Sequence, residues 1–409
     1  MQSLLKKILK FLAIATLKKY KPGIIGVTGS VGKTSTKEAV LVVLSDSRLA
    51  RASAGNFNTE IGLPLTILGN WKSTGGFFFW LWVILVSFFR LIFRVAYPEL
   101  LILEYAADKP GDIKNLLDIA RPHISILTAI GDVPVHVEAY SGPEAVAREK
   151  SKLIESLSVT GFAVLNYDDP TVRAIAERTR AHVITFGFED GADVRISNFE
   201  MRSDKGIPLG VSFKLGYAGS FVPVRLDHAF GRAPAYAAAA ATAVGIAFGF
   251  HLVKISEALL AYVPPEHRMR LISGIKGSVL FDDTYNASPL SMREAIQTVK
   301  SLGAKRNVGI LGDMLELGHY SLEAHEAIGL IAGEVFDVLI TVGPRAKFIA
   351  DAAFRRGLSK SHIFSFDTAK EAARDAHTYI KKGDVVLLKA SRAIGLEVLV
   401  EALRDATLA

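Results

Sequence analysis

Gly26-Val-Thr-Gly-Ser-Val-Gly-Lys-Thr34 is the stretch of this 409-residue chain whose residue types and spacing most directly suit chemistry. It follows an apolar run, Ile24, Ile25 and Val27, that reads as a short buried strand, and it leads into a helical pattern from Lys37 to Leu44. A strand, a glycine turn and a helix start make a phosphate cradle, because backbone N–H groups left unpaired at the helix start point at an anion. Lys33 would reach the terminal phosphates and Thr34 would ligate Mg²⁺. The strict P-loop pattern wants a glycine where this chain has Val27, so the motif is a variant form, Thr28-Gly29-Ser30-Val31-Gly32-Lys33-Thr34. An ordinary glycine turn is the plainer reading, and Gly-Lys-Thr at this place disfavours it.

Further chemistry sits at other strand ends. Leu100-Leu-Ile-Leu-Glu104 is an apolar strand ending in an acid, where an acid commonly holds a phosphate-bound metal ion. Asp132, His136 and Glu138 fall in the next such loop, where a histidine could complete a second metal site or be simply solvated. Phe281-Asp-Asp-Thr-Tyr-Asn-Ala-Ser-Pro289 places acids where a ribose could be bound, and Gly312-Asp-Met-Leu-Glu-Leu-Gly318 is a third loop of this kind. Together they suggest a nucleotide held between two domains that close. These residues by themselves lead to an ATP-using enzyme of unspecified reaction.

The elements that must position these residues follow an α/β rhythm. The chain is too long for one ordinary core, and 50% of its residues are apolar. It has no cysteine, which excludes thiol catalysis, disulfides and Cys-ligated zinc. The net charge of +7 is concentrated: Lys6, Lys7, Lys10, Lys18, Lys19 and Lys21 precede any acid, so a basic tail is expected and a nucleic-acid partner is not. Residues 4–12 read as an amphipathic helix that either lies on an anionic membrane or packs on the body. Lysines follow the short apolar core where a signal-peptide cleavage site should be. Residues 77–97 are nearly long enough to span a bilayer, but Arg90 and Arg94 interrupt them. One crossing would also separate the P-loop from Glu104, leaving an in-plane helix, a dipping hairpin or a cover over another apolar surface.

Short strands are expected at 100–104, 124–128, 162–165 and 183–186, then hairpins over 192–226 and an alanine-rich helix over 233–250. After a Pro-Pro hinge at 263–268, five strands alternate with helices to the end, as in a doubly wound sheet. The expected division is a basic helix over 1–21, a central ATP-binding domain over 22–263 carrying the apolar insert, and a C-terminal domain over 264–409.

Seven motifs in order make the chain resemble the Mur ligase family, most closely its D-alanyl-D-alanine-adding branch. They are Thr28 to Thr34, Gly55-Asn-Phe-Asn-Thr-Glu-Ile-Gly-Leu-Pro-Leu65, Glu104 with Pro110-Gly-Asp112, His136-Val-Glu138, Asp282 to Pro289, Leu311 to Gly318, and Lys389-Ala-Ser-Arg392. The resemblance implies a P-loop central domain followed by a Rossmann-like domain. It also implies a cytoplasmic ligase of peptidoglycan synthesis that uses ATP and Mg²⁺ to join a muramoyl-peptide carboxylate to D-Ala-D-Ala through an acyl phosphate.

By the same resemblance Lys33 contacts the β and γ phosphates, Thr34 and Glu104 hold one Mg²⁺, and His136 helps hold a second. Lys150 matches a lysine that can be carbamylated, with Lys152 as the neighbouring alternative. Arg268 and Asp283 would contact phosphate and ribose, Asn58 would lie near the peptide, and Asp313, Ser391 and Arg392 would lie towards the amine.

Three departures are expected to matter. The P-loop at residue 26 leaves no room before it for the domain that usually grips a UDP-sugar. Gly231-Arg-Ala-Pro-Ala-Tyr-Ala237 replaces the usual adenine-contacting side chains, and Ala390-Ser-Arg-Ala393 replaces Gly-Ser-Arg-Gly. A folylpolyglutamate-type or poly-glutamate synthase and a nucleotide-binding membrane scaffold without turnover are the alternatives. Membrane contact through 1–21 and 77–97 would hold the protein at the inner face of the plasma membrane.

Overall fold

The computed structural model describes residues 2–55, 57–71, 73–204 and 207–405; Met1, Asn56 of the Gly55–Leu65 motif and the last four residues lie outside them. Two sheets organise the chain. The first contains β1 (Gly23–Thr28), β2 (Ala50–Ala52), β3 (Leu100–Glu104), β4 (Ile124–Leu127), β5 (Phe162–Asn166), β6 (His182–Gly187), β7 (Val194–Asp204), β8 (Ile207–Tyr217) and β9 (Ser220–Asp227). Its order is β2-β3-β1-β4-β5-β6-β7-β8-β9, parallel as far as β7 and antiparallel from β7 to β9. Strands β3 and β4 are buried throughout, as continuous apolar runs in a parallel sheet should be, whereas β9 alternates exposed and buried residues as a half-solvated antiparallel strand does.

Helix α2 (Lys33–Ser45) lies against the alanine-rich helix Ala233–Ala247. Small side chains let the two backbones approach: a Cβ on Gly245 would come within 3.2 Å of Val43. Helices α1 (Gln2–Tyr20), α3 (Gly62–Leu68) and α4 (Phe77–Ile92) form a separate layer around Leu9, Leu12, Leu65, Leu68 and Val83. Leu5, Ile8, Leu9 and Leu12 of α1 are therefore packed on the protein body, while Lys6 and Lys10 pair with Glu60 and Asp118. Within the apolar segment 77–97 the helix ends at Ile92, and no helix among the described residues is long and apolar enough to cross a membrane.

The second sheet contains β10 (Arg270–Ser273), β11 (Val279–Asp282), β12 (Asn307–Gly312), β13 (Val338–Val342), β14 (Ile363–Phe366) and β15 (Val385–Lys389), in the order β10-β11-β15-β12-β13-β14. All pairs but β10–β11 are parallel. Strand β10 was not anticipated: it is a four-residue edge strand without a buried residue, so it carries no hydrophobic run to read. The two sheet regions meet closely. Phe230, which follows β9, packs edge-on against Phe281 of β11 at 5.1 Å and is buried in the core of the second region.

Candidate active site

Strand β1 lies between β3 and β4, so the chain departs to opposite sides of it and a crevice opens beyond its C-terminal end. The P-loop emerges there. Gly29 has φ +145°, and a Cβ on it would lie 2.0 Å from the Thr128 hydroxyl after β4, so only glycine fits. Gly32, at φ +89°, starts α2. The Ser30 N–H donates to Ala129 O at 2.6 Å, while the Ser30 hydroxyl is buried without a partner among the described residues. The Thr28 hydroxyl donates to Tyr105 O at 2.8 Å, a structural tie beneath the loop. Lys33 is folded back to donate to Gly29 O at 2.8 Å, and its burial lowers its pKa against the opposing influence of Glu104.

Parallel register sets Val27 beside Glu104, which brings the acid to the same end of the sheet as the loop. The Thr34 hydroxyl donates to Glu104 Oε2 at 3.3 Å, and Asn58 Nδ2 donates to Glu104 Oε1 at 3.0 Å. No group of three or more histidine, aspartate or glutamate side chains forms a ready-made metal cage among the described residues. Mg²⁺ does not require one: it takes oxygen donors, often one or two carboxylates together with substrate phosphates and water. The buried Glu104 carboxylate with the Thr34 hydroxyl beside it is a donor set that fits this ion.

Lys150 lies in the helix Pro143–Glu155 and is buried. Its ammonium makes no hydrogen bond or ion pair among the described residues, and burial, then the charge of Lys33, pushes its pKa down to about 7. Lys152 is instead 41% exposed and paired with Glu149 at 2.6 Å. His136 adopts φ +67° and has both ring nitrogens engaged: Nδ1 meets Glu316 Oε2 at 2.9 Å and Nε2 meets Asp108 Oδ1 at 3.3 Å. It thus ties the loop after β4 to the loop after β12, and its hydrogen bond holds the Glu316 carboxyl below the usual range.

From the second sheet region, Arg268 stacks on the Tyr285 ring at 4.1 Å, and Arg392 lies 5.3 Å from the same ring centre. The expected phosphate-binding and amine-side arginines are therefore brought together by one aromatic residue. Asp283 accepts from the Met269 N–H at 3.2 Å and pairs at 2.6 Å with buried Lys389, whose pKa burial lowers despite that partner. Asp313 accepts from the Ala346 N–H at 2.7 Å and Ser391 from the Leu315 N–H at 2.9 Å, so both side chains brace the loops.

A cleft between the regions is lined by Gly32, Thr34, Arg268, Asp283, Arg232 and Tyr236 among others. At its far wall the Arg232 guanidinium lies 3.8 Å over Phe188, and the Tyr236 hydroxyl donates to Asp168 at 2.7 Å.

Comparison with known proteins places this geometry. The chain is 32% identical to the UDP-N-acetylmuramoyl-tripeptide–D-alanyl-D-alanine ligase of Mycobacterium leprae over 93% of its own length and 73% of that enzyme's. The chain belongs to the Mur ligase family. Sequence profiles of the Mur ligase middle domain and of the Mur ligase glutamate ligase domain match residues 86–245 and 267–392. The Bacillus subtilis enzyme of the same name is 30% identical over 98% of this chain and 80% of its own. The crystal structure of the Thermotoga maritima MurF ligase in complex with ADP superposes with a TM-score of 0.79 at 28% identity, covering 97% of this chain and 83% of that one.

In this Mur ligase, several residues at the site were given no role from the sequence. Asp108 is four residues beyond Glu104 and could have been paired with it. Glu316, Tyr285 and Lys389 lay inside quoted motifs without an assigned role, because their partners come from distant segments. Lys37 reads as an exposed helix residue, yet it is fully buried and donates to Ser53 O at 2.5 Å and Gly55 O at 2.9 Å.

Proposed function

We propose that this Mur ligase adds D-alanyl-D-alanine to the terminal carboxylate of a muramoyl peptide at the expense of ATP, releasing ADP and phosphate. A carboxylate oxygen attacks the γ-phosphorus, and the bond to ADP breaks. The amine nitrogen then attacks the acyl carbon, the carbon–oxygen bond to phosphate breaks and the nitrogen loses a proton. The observation that carries the reading is the meeting of the Lys33–Thr34 P-loop, buried Glu104 and unpartnered Lys150 in one crevice.

Lys33 swings from Gly29 O to the β and γ phosphates, with Ser30 and the turn N–H groups around them. Thr34 and Glu104 would hold Mg²⁺, and His136 with Asp108 would serve a second ion. Bound there, Mg²⁺ offsets charge on the transferring phosphoryl group. Lys150, neutral in part near pH 7, has the free amine needed to take up CO₂ as a carbamate. Arg268 and Asp283 face the nucleotide, Asn58 the peptide, and Arg392 the amine, with Asp313 and Ser391 holding the amine-side loops in place. The first sheet region with its insert serves as the ATP-binding domain, 22–263, and the second as the closing domain, 264–409. ATP and wall precursors place the enzyme in the cytoplasm, and α1 and α4 support a position at the inner face of the plasma membrane.

ADP release with D-Ala-D-Ala and either UDP-linked or lipid-linked muramoyl peptides, with product masses, tests the reading. A product heavier by one dipeptide residue is expected; no acceptor-dependent ADP would leave a nucleotide-binding scaffold.

A further inference from the structure

Helix α4 has one buried face and one bare face. Val83 and Ser87 are buried, and Phe79, Trp80, Ile84 and Leu91 pack towards α1 and α3. Phe78, Leu81, Trp82, Leu85, Phe88 and Ile92 recur at helical spacing on the other side and are exposed, Phe78 by 83% and Trp82 by 58%. A bare apolar stripe along a whole helix marks a contact surface. On α1 Leu4, Lys7, Phe11 and Lys18 are exposed at helical spacing, with Ser3 beside them.

The charge around this layer identifies what it contacts. Residues 1–37 and 61–98 contain no aspartate or glutamate. Lys19 donates to Arg90 O, Leu91 O and Phe93 O and so docks the end of α1 on the end of α4, which gathers Lys18, Lys21 and Arg94 around that joint. None of these three, nor Lys7, has an ion-pair partner among the described residues. Apolar and aromatic residues flanked by unpaired cations complement an anionic bilayer, in which aromatic rings and lysine heads settle at headgroup level. A 16-residue helix is about 24 Å long, too short to cross the hydrocarbon core of roughly 30 Å, so α4 would lie in the plane of the interface.

This layer is also joined to the reaction centre by one loop. Phe57 and Ile61 pack into the α1, α3 and α4 cluster and Glu60 pairs with Lys6 of α1 at 2.8 Å, while Asn58 between them donates to Glu104. We infer that α4 and α1 dock the enzyme on an anionic membrane and that its acceptor is a muramoyl peptide anchored in that membrane by a lipid carrier. The carrier rests on the ligase reading above; the docking surface does not. Holding enzyme and acceptor on one surface replaces a search in solution by a high local concentration.

Flotation of the full chain with phosphatidylcholine vesicles, with and without phosphatidylglycerol, tests the surface without regard to turnover. Binding only to the anionic vesicles is expected. Phe78→Ser, Trp82→Ser and Phe88→Ser together should abolish it, with circular dichroism and thermal unfolding unchanged. Lys7→Glu with Lys18→Glu should weaken it by roughly fivefold or more per cation removed. Failure of the wild type to float, equal flotation of the triple variant, or a soluble dimer that this variant disrupts would overturn the docking surface.

For the carrier, kcat/KM should be about tenfold or more higher for the lipid-linked acceptor in anionic vesicles than for the UDP-linked one. The triple variant should lose that advantage while its rate on the UDP-linked acceptor stays the same. Equal rates on both acceptors would overturn the carrier alone, whereas ligation of neither would remove the ligase reading and the carrier with it.

Discussion

Lys33, half-buried, and Lys150, buried, are lysines within electrostatic reach of one another, and each has a lowered pKa for the same first reason, removal from water. Their tasks differ. In the proposed reaction Lys33 neutralises phosphate, so Lys33→Ala should lower ADP formation by roughly 10³-fold while circular dichroism stays unchanged; near-normal turnover would refute its role. Lys150 gains from being neutral. Its folded pKa, near 7, lies below the usual value of 10.5, so the unfolded chain binds its proton more tightly and wild-type stability should fall as pH drops through that interval. The Tm of Lys150→Met relative to wild type is expected to rise from pH 10.5 towards 7 and to level off below it. A difference independent of pH would mean that the lysine is charged in the fold.

At the scale of elements, the site depends on loops braced by side chains that do no chemistry themselves. Lys37 on α2 is the clearest case, because its ammonium holds the carbonyls of Ser53 and Gly55 just before the loop that carries Asn58. Lys37→Met would leave those buried carbonyls unpaired. It should cost about 1–3 kcal/mol in denaturant unfolding and raise KM for the acceptor more than KM for ATP. An equal rise in both would place the effect in the P-loop helix instead. Asp313 and Ser391 act similarly in the second sheet region, tying the turn before Lys347 and the loop at Leu315. The sequence placed Asp313 at a strand end, but the hydrogen-bond partners of Asp313 and Ser391 lie 33 and 76 residues away, which spacing cannot reveal.

For the molecule as a whole, the contact between the two sheet regions decides whether a site exists. Phe230 belongs by chain to the first region and by packing to the second, against Phe281. His136 and Glu316 join the two regions on the phosphate side. Phe230→Ala should cost about 3–5 kcal/mol and weaken ATP binding, and should separate one unfolding transition into two as the regions uncouple. A single transition at unchanged midpoint would show that Phe230 carries no coupling.

The sequence alone determined the doubly wound architecture and the glycine turn at the start of α2 where a phosphate cradle is expected. Both follow from local patterns: apolar runs of strand length, a glycine turn, and a lysine and threonine at a helix start. The family motifs added the expectation that Glu104, His136 and Lys150 share one site. Tertiary structure decided the rest. Lys37 is buried, Arg268 and Arg392 share Tyr285, and His136 bridges Asp108 and Glu316, because the partners converge from segments far apart in the chain. It also resolved the N-terminal helix: Leu9 and Leu12 are spent on the protein body, Leu4 and Phe11 are left exposed, and the longer bare apolar face belongs to α4. Periodicity can say that a helix has an apolar face, but only packing says whether that face is already covered.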